Sequence, residues 1–286
     1  MATFHKVEKT IGAAAFLAFG FVAEAAAAPV FSVDPSAIPG VTFTDFTATG
    51  FGHSASTKIE FAPGAFESGT GTGWLRLDQF TGANVGGTGL GSAYTVWGEF
   101  TYDVTLVPGT GPGGLDAGVY HITSMDIDYY GVEGVWSGST AFIQADAATN
   151  TAASVDTSQF SGGPIVSLAT ATVSSAPQYN TFGNGDFNSI TVTAGGGAGL
   201  NATFDFFNVN SSFFFEPTPF YNIAFASITN DSGQVQQGNN SLYIQSAGTS
   251  SLANTVPEPG TLGLIGLGLL GAGWASRRRG KNAKAA

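Results

Sequence analysis

Apolar and polar positions alternate along the central part of the chain. Between residues 94 and 106 the even positions are mostly apolar, whereas most of the odd ones carry threonine, aspartate or glutamate. A period of two is typical of a β-strand with one buried face, so this stretch is predicted to form a long strand. Further strands are predicted at 41–47, 58–61, 74–80, 119–130, 134–144, 165–173, 189–193, 202–209, 221–229 and 241–245.

The stretch 119–130 is the second long strand that the alternation predicts. Its two predicted faces are Val119, Met125, Ile127 and Tyr129 on one side and Ile122, Asp126, Asp128 and Tyr130 on the other. Side chains two residues apart on a strand project from the same face, about 7 Å from each other. Asp126 and Asp128 are therefore expected to be neighbours on one surface.

These two carboxylates are candidate calcium ligands. Calcium takes about six to eight oxygen ligands, often from carboxylates and carbonyls, and Glu133 is close enough in sequence to join Asp126 and Asp128. The segment 183–188 (Gly-Asn-Gly-Asp-Phe-Asn) is a second loop of suitable type. Neither matches an EF-hand, and a glycine-aspartate loop is equally a common hairpin turn. Calcium is thus the one cofactor that the sequence leaves open.

Glycine and proline separate the predicted strands. The clearest turn segments are 108–114, 161–164 and 195–199. Many short strands with turn signals between them indicate an all-β fold, and we predict an antiparallel β-sandwich or jelly-roll-like body. No internal repeat of fixed period is evident, which argues against a propeller or solenoid.

Charge is distributed unevenly along the chain. Between residues 29 and 255 the only basic residues are Lys58 and Arg76, against 17 acidic ones. So acidic a body excludes nucleic acid as an expected partner, because binding it depends on basic contacts. The chain has no cysteine, so disulfides do not stabilise it and a hydrophobic core must suffice.

The N-terminal segment has the layout of a secretory signal peptide. Lys6 and Lys9 precede an apolar stretch at 11–23, and small residues follow at 25–28. We assign residues 1–28 to this signal and 29–252 to the β body. An uncleaved N-terminal anchor is the alternative.

The C-terminal segment 253–286 combines a short motif, an apolar stretch and a basic end. The motif is Val256, Pro257, Glu258 and Pro259, and the basic end contains Arg277, Arg278 and Arg279. Between them, a helix of the fifteen residues 261–275 would span about 22 Å, short of the roughly 30 Å of a bilayer core. This arrangement predicts a transient membrane anchor. The tail resembles the PEP-CTERM sorting signal.

That resemblance implies an exported protein and a specific processing partner. Proteins with this signal are held transiently in the inner membrane, cleaved near the Pro-Glu-Pro motif by an exosortase-type enzyme, and delivered to the cell surface or the extracellular polysaccharide matrix. Segments 31–35, 205–209 and 219–226 also resemble the flocculation-associated branch of PEP-CTERM proteins. This second resemblance implies a structural or adhesive role in exopolysaccharide-dependent flocculation or biofilm formation.

Motifs for catalysis are weak. Outside the signal peptide the only histidines are His53 and His121, and neither lies in a nucleophile elbow. We therefore expect a non-enzymatic protein. Two alternatives stay open: a calcium-dependent glycan-binding module, and a glycoside hydrolase that uses a pair of carboxylates on matrix polysaccharide.

Overall fold

The computed structural model describes residues 30–82, 87–113, 117–134, 140–173, 188–216, 225–238 and 240–254. Regular structure in these ranges is almost entirely β-strand, with two short 3-10 turns. The two predicted terminal helices lie outside the described residues, and within those residues we find no apolar helix of membrane-spanning length. The strands are β1 (Phe31–Val33), β2 (Phe46–Ala48), β3 (Gly50–Phe61), β4 (Ser68–Thr81), β5 (Tyr94–Leu106), β6 (Gly118–Glu133), β7 (Phe142–Ile143), β8 (Ser154–Val155), β9 (Val166–Val173), β10 (Ser189–Thr193), β11 (Gly197–Phe207), β12 (Phe214–Glu216), β13 (Phe225–Gly238) and β14 (Ser241–Asn254).

Nine of these strands form one antiparallel sheet. Their order is β10-β11-β13-β14-β3-β4-β5-β6-β9. In addition, β10 pairs with β6 and β9 pairs with β11, so the two ends of the sheet are joined. The sheet therefore closes on itself, which pairs strand edges that would otherwise be open to other chains. Two small sheets, β12-β1-β2 and β7-β8, complete the described structure.

The predicted all-β, antiparallel class is confirmed. The sandwich or jelly-roll arrangement is not confirmed, because the nine strands lie side by side in a single closed sheet instead of two stacked ones. Strand length explains the closure. The 16 residues of β6 pair with β10 near the start of the strand and with β9 further along, and β11 pairs with the same two strands in turn.

One face of each long strand fills the interior of the closed sheet. On β5 the even positions Tyr94, Val96, Phe100, Tyr102 and Val104 are all buried there, as the alternation predicts. Burying a large apolar side chain stabilises the folded state by about 1.5–3 kcal/mol. The same core contains residues from the other long strands, among them Ile59, Leu75, Ile127, Phe204, Leu242 and Ile244.

Glycines on β4 allow aromatic rings of β5 to lie against its backbone. In the Gly-Thr repeat 69–73 the glycines face the interior and the threonines face outward. A Cβ atom at Gly71 would overlap the ring of Tyr102, and one at Gly73 would lie 2.8 Å from ring atoms of Phe100. Because only glycine leaves this space, the repeat fixes the position of both rings.

A β-bulge inverts the side-chain alternation within β6. The register between β5 and β6 passes over Thr123, so Ile122 before the bulge and Met125 after it both face the core. The prediction that Ile122 shares a face with Asp126, and Val119 with Met125, is therefore wrong. One inserted residue is enough to move all preceding side chains to the opposite face.

The segment 140–160 packs across the outside of the sheet. The ring of Phe142 lies 5.1 Å from Trp74, and the ring of Phe160 stacks on Trp97 at 4.8 Å. The Trp74 indole N–H donates a 2.7 Å hydrogen bond to a backbone carbonyl of β7. These contacts form a second apolar cluster, separate from the interior core. It covers only part of the outer surface, and the strip beside it is exposed.

Candidate functional site

The exposed strip carries polar side chains in rows that run across the strands. Three rows, each given from β4 through β5 to β6, are Thr70-Asp103-Ser124, Thr72-Thr101-Asp126 and Trp74-Glu99-Asp128. Apart from Trp74, all of these side chains are exposed. We call the surface formed by the three rows the polar face. It results from alternation, since the neighbouring positions on each strand, apart from the bulge residue Thr123, are occupied by core residues or inward-facing glycines.

A groove of ≈ 300 Å³ lies on the polar face where it meets the segment 140–160. Three carboxylates line it, those of Glu99, Asp126 and Asp128, together with Tyr130 and the hydroxyls of β4 and β5. Directly opposed residues on antiparallel strands have Cβ atoms about 4.5–5.5 Å apart. Glu99 and Asp128 are opposed in this way, so their carboxylates project side by side.

A second groove of ≈ 330 Å³ continues along the same surface. Its lining includes Glu60, Thr70 and Asp103. Asp103 is held in place by two hydrogen bonds of 2.9 Å, which its carboxylate accepts from the hydroxyls of Thr70 and Ser124. The two grooves together make an extended surface of carboxylates and hydroxyls.

Tyr130 gives the first groove an aromatic side. Its ring is half-buried and lies 5.6 Å from that of Trp97. Burial raises the pKa of Tyr130 above its ordinary value, and the negative charges of Asp128 and Glu99 act in the same direction. The phenol therefore stays protonated at neutral pH, so it can donate a hydrogen bond while its ring offers a π surface.

The two basic residues of the described chain are both engaged. Lys58 Nζ lies 2.6 Å from Glu60 Oε1 and sits over the ring of Tyr243. Arg76 donates to Asp78 Oδ1 from Nε at 2.9 Å and from Nη2 at 2.7 Å. Among the described residues, no salt bridge joins either cation to the three carboxylates of the first groove.

The structure does not bring the three candidate calcium ligands together. Asp126 and Asp128 lie on the polar face, whereas Glu133 projects from the opposite face of β6, where a Cβ atom at Gly40 would overlap its carboxylate. The odd sequence separation between Glu133 and the two aspartates explains this, because alternate residues of a strand point to opposite faces. In the part of the chain that the structure describes, no group of three or more His, Cys, Asp or Glu residues is arranged to hold a metal ion.

The other candidate residues are those of the segment 183–188 and the two histidines. Of the segment 183–188 only Asn188 is described, and its side-chain carbonyl accepts hydrogen bonds from the Thr203 N–H at 2.9 Å and the Thr203 hydroxyl at 3.2 Å. His53 is buried inside the closed sheet, whereas His121 is exposed on its outside. The two histidines are therefore not neighbours in a common site.

A small apolar cavity of ≈ 50 Å³ lies inside the closed sheet. The hydroxyls of Thr57 and Tyr102, which line it, are hydrogen-bonded to each other at 3.1 Å. Leu75 and Ile127 are typical of the rest of the lining. Its size and apolar character suit imperfect packing of a core better than a polar ligand.

Comparison with known proteins identifies the C-terminal segment. Residues 255–279 match the family model of the PEP-CTERM protein-sorting motif. The chain carries a PEP-CTERM sorting motif. The matched range includes every residue that the sequence singles out in the tail, namely Val256, Pro257, Glu258, Pro259, Arg277, Arg278 and Arg279, all of which lie outside the described residues. No match was found among curated proteins or among solved structures.

The PEP-CTERM motif implies that the protein is exported, sorted by an exosortase and delivered to the cell surface. The polar face is thus expected to act outside the cell. The sequence places Tyr130 on one face with Asp126 and Asp128, but it does not identify Glu99 as a further member of this surface. The signal was present in part, because alternation in 94–106 places Glu99, Thr101 and Asp103 on one face, but only the register between β5 and β6 places Glu99 opposite Asp128.

Proposed function

We propose that this protein is a non-enzymatic component of the extracellular matrix, where it binds exopolysaccharide through the polar face and promotes flocculation or biofilm cohesion. The observation that carries the proposal is the exposed surface of carboxylates and hydroxyls beside Tyr130. The sorting motif at 255–279 supports a place of action where such polymers are present.

The chemistry of the polar face suits sugars. A pyranose ring has hydroxyl groups at its rim, which donate to carboxylates such as Asp126 and exchange hydrogen bonds with threonine hydroxyls. Its C–H faces pack against aromatic rings, and Tyr130 offers one at the edge of the first groove. Two adjoining grooves, of ≈ 300 and ≈ 330 Å³, favour an extended polymer over a single small molecule.

The tail has a separate role in this proposal. The apolar stretch 261–275 holds the chain transiently in the inner membrane, with the basic end of the tail on the cytoplasmic side according to the positive-inside rule. Cleavage near Pro257 by the exosortase then releases the β body to the matrix. Because the stretch is short and rich in glycine, it is better suited to a temporary anchor than to a permanent one.

Gene deletion combined with fractionation tests the proposal. We expect the deletion strain to aggregate less, and the exported protein to be found in the matrix with a shortened C-terminus. In a strain without the exosortase the intact mass should include the tail, and the protein should stay with the membrane. Unchanged aggregation of the deletion strain would contradict the adhesive role while leaving the sorting of the protein intact.

The two alternatives differ from this proposal in measurable ways. A calcium-dependent module, with Asp126 and Asp128 as ligands, would show a higher melting temperature in millimolar calcium, because a ligand that binds only the native state stabilises it. A glycoside hydrolase would release reducing ends from the matrix polysaccharide. The opposed pair Glu99 and Asp128 is the best candidate for such chemistry, because the two residues face each other directly across β5 and β6 and such enzymes use a pair of carboxylates.

A further inference from the structure

The first groove has an electrostatic character that distinguishes among polysaccharides. Among the residues that the structure describes, its lining includes Glu99, Asp126 and Asp128 but no basic residue. The nearby cations Lys58 and Arg76 are already engaged with Glu60 and Asp78. A polysaccharide rich in uronate or sulfate groups would bring more negative charge to this surface, and such like-charge contacts disfavour binding.

Tyr130 is a second feature of the groove that favours a positively charged ligand over a negatively charged one. The face of an aromatic ring attracts a nearby cation, and an ammonium group is the cation that a sugar polymer commonly carries. Tyr130 lines the same groove as the three carboxylates, and the charges of Asp128 and Glu99 are close enough to raise the pKa of its phenol. An ammonium group in the groove would meet an aromatic ring and carboxylates at once.

The positions of the three carboxylates also suit such a ligand. Glu99 Oε1 accepts a 3.1 Å hydrogen bond from the indole N–H of Trp97, which is fully buried. Asp126 and Asp128 extend from one strand in the same direction, and residues so placed lie about 7 Å apart. Glu99 lies across from Asp128 on the next strand. The three charges therefore cover a patch comparable in size to a sugar ring or two.

From charge complementarity we infer that the groove beside Tyr130 selects a polysaccharide with free amino groups, such as a partly de-N-acetylated polymer of an amino sugar. This inference rests on the proposed function, which it narrows to one class of polymer. Uncharged and acidic polysaccharides are disfavoured ligands of the same groove. Salt should weaken the binding, because the carboxylates are exposed and their interactions are screened.

Matched oligosaccharides test the inference directly. The purified full-length chain in mild detergent is titrated, by calorimetry, with the hexamer of β-1,4-linked glucosamine and with the N-acetylated hexamer, which differ only in charge and acetylation. A mannuronate hexamer supplies the acidic comparison. We expect the glucosamine hexamer to bind at least about tenfold more tightly than either, a difference equivalent to about 1.4 kcal/mol.

Paired variants locate the binding on the molecule. Asp126→Asn with Asp128→Asn removes two charges from the groove, whereas Asp45→Asn with Glu67→Gln removes two exposed charges that do not line it. The groove variant should lose the preference for glucosamine, and the control variant should keep it. Glu99→Gln is a second groove variant, because glutamine preserves an acceptor for the Trp97 indole.

The outcomes separate the inference from the proposed function. Equal or tighter binding of the N-acetylated or mannuronate hexamer, with loss in the groove variants, would overturn the selection for amino groups and leave polysaccharide binding in place. An equal loss in the groove and control variants would show that net charge, and not the groove, produces the preference, which also overturns it. Absence of binding to all three hexamers would contradict both the inference and the proposed function.

Discussion

Glu99 on β5 lies directly opposite Asp128 on β6, and both carboxylates are exposed on the polar face. Two like charges in directly opposed positions destabilise a sheet. Within the described residues no salt bridge compensates either of them. Functional sites often keep arrangements that cost stability, and a cationic ligand here would relieve the repulsion.

Replacing one member of this pair should therefore stabilise the fold. We predict that Asp128→Asn raises the free energy of unfolding by about 0.2–1 kcal/mol, because it removes the repulsion with Glu99. Urea unfolding measures the change, with Asp45→Asn as a control in which one exposed charge is removed elsewhere. A less stable Asp128→Asn protein would mean that the carboxylate makes favourable contacts that outweigh the repulsion.

A substitution in the glycine repeat of β4 should instead lower the free energy of unfolding. Gly71→Ala places a methyl group where the ring of Tyr102 lies, so the ring or the strand must move. Such overpacking costs about 1–3 kcal/mol. Thr72→Ala, at the next residue but on the exposed face, is the control and should change stability by much less. Equal effects of the two substitutions on the urea midpoint would contradict the close packing of Tyr102 on β4.

Two aspartates stabilise the segment 140–160 in a pH-dependent way. The hydroxyl of Thr149 donates to Asp146, and that of Ser158 donates to Asp156; these bonds are the main reason that the pKa of each carboxyl is lowered from its ordinary value of 3.8. A lowered folded-state pKa contributes stability above the ordinary value, which is lost as the pH falls through the folded-state value.

We therefore expect acid to loosen this segment before the sheet unfolds. Hydrogen exchange of amides in 140–160, followed from about pH 5 to about pH 2, should show a loss of protection in that interval. In the double variant Asp146→Asn with Asp156→Asn, the protection of these amides should change much less over the same pH range. An unchanged acid response in the variant would assign the effect to other carboxylates.

Two buried tyrosines determine the response to alkali. Burial raises the pKa of Tyr94 and Tyr102 well above the ordinary value of 10.0. Below that value both states keep the phenol protons, but above it the unfolded chain releases them first, so stability falls as the pH rises. In an absorbance titration the two phenols should ionise only together with unfolding, and Tyr102→Phe should remove part of this alkaline instability. Reversible ionisation of all tyrosines in the folded protein would contradict their burial.

Alternation predicts strands well wherever apolar residues mark the buried face. The predicted ranges 94–106 and 189–193 coincide with β5 and β10 residue for residue. The prediction at 74–80 recovers only the second half of β4, because in 68–73 glycines take the inward positions that apolar residues occupy elsewhere. The prediction at 41–47 is mostly wrong, because only the last two residues of this segment lie in a strand, β2.

The candidate site was predictable only in part. The shared face of Asp126 and Asp128 follows from a local period of two, which the sequence contains. Their proximity to Glu99 depends on the register between β5 and β6, and the closure of the sheet depends on which strands meet. Both are tertiary choices that a single sequence does not encode in any local pattern. The separation of Glu133 from the pair does follow from alternation, and the prediction overlooked it.

Retention of groove variants in the matrix tests most directly whether the polar face binds matrix polysaccharide. The deletion strain is complemented with the wild-type gene, with Asp126→Asn plus Asp128→Asn, or with Asp45→Asn plus Glu67→Gln. The fraction of exported protein that stays in the washed matrix is then measured. We predict that the groove variant is released into the medium while the wild-type and control proteins are retained. Equal retention of all three proteins would contradict it.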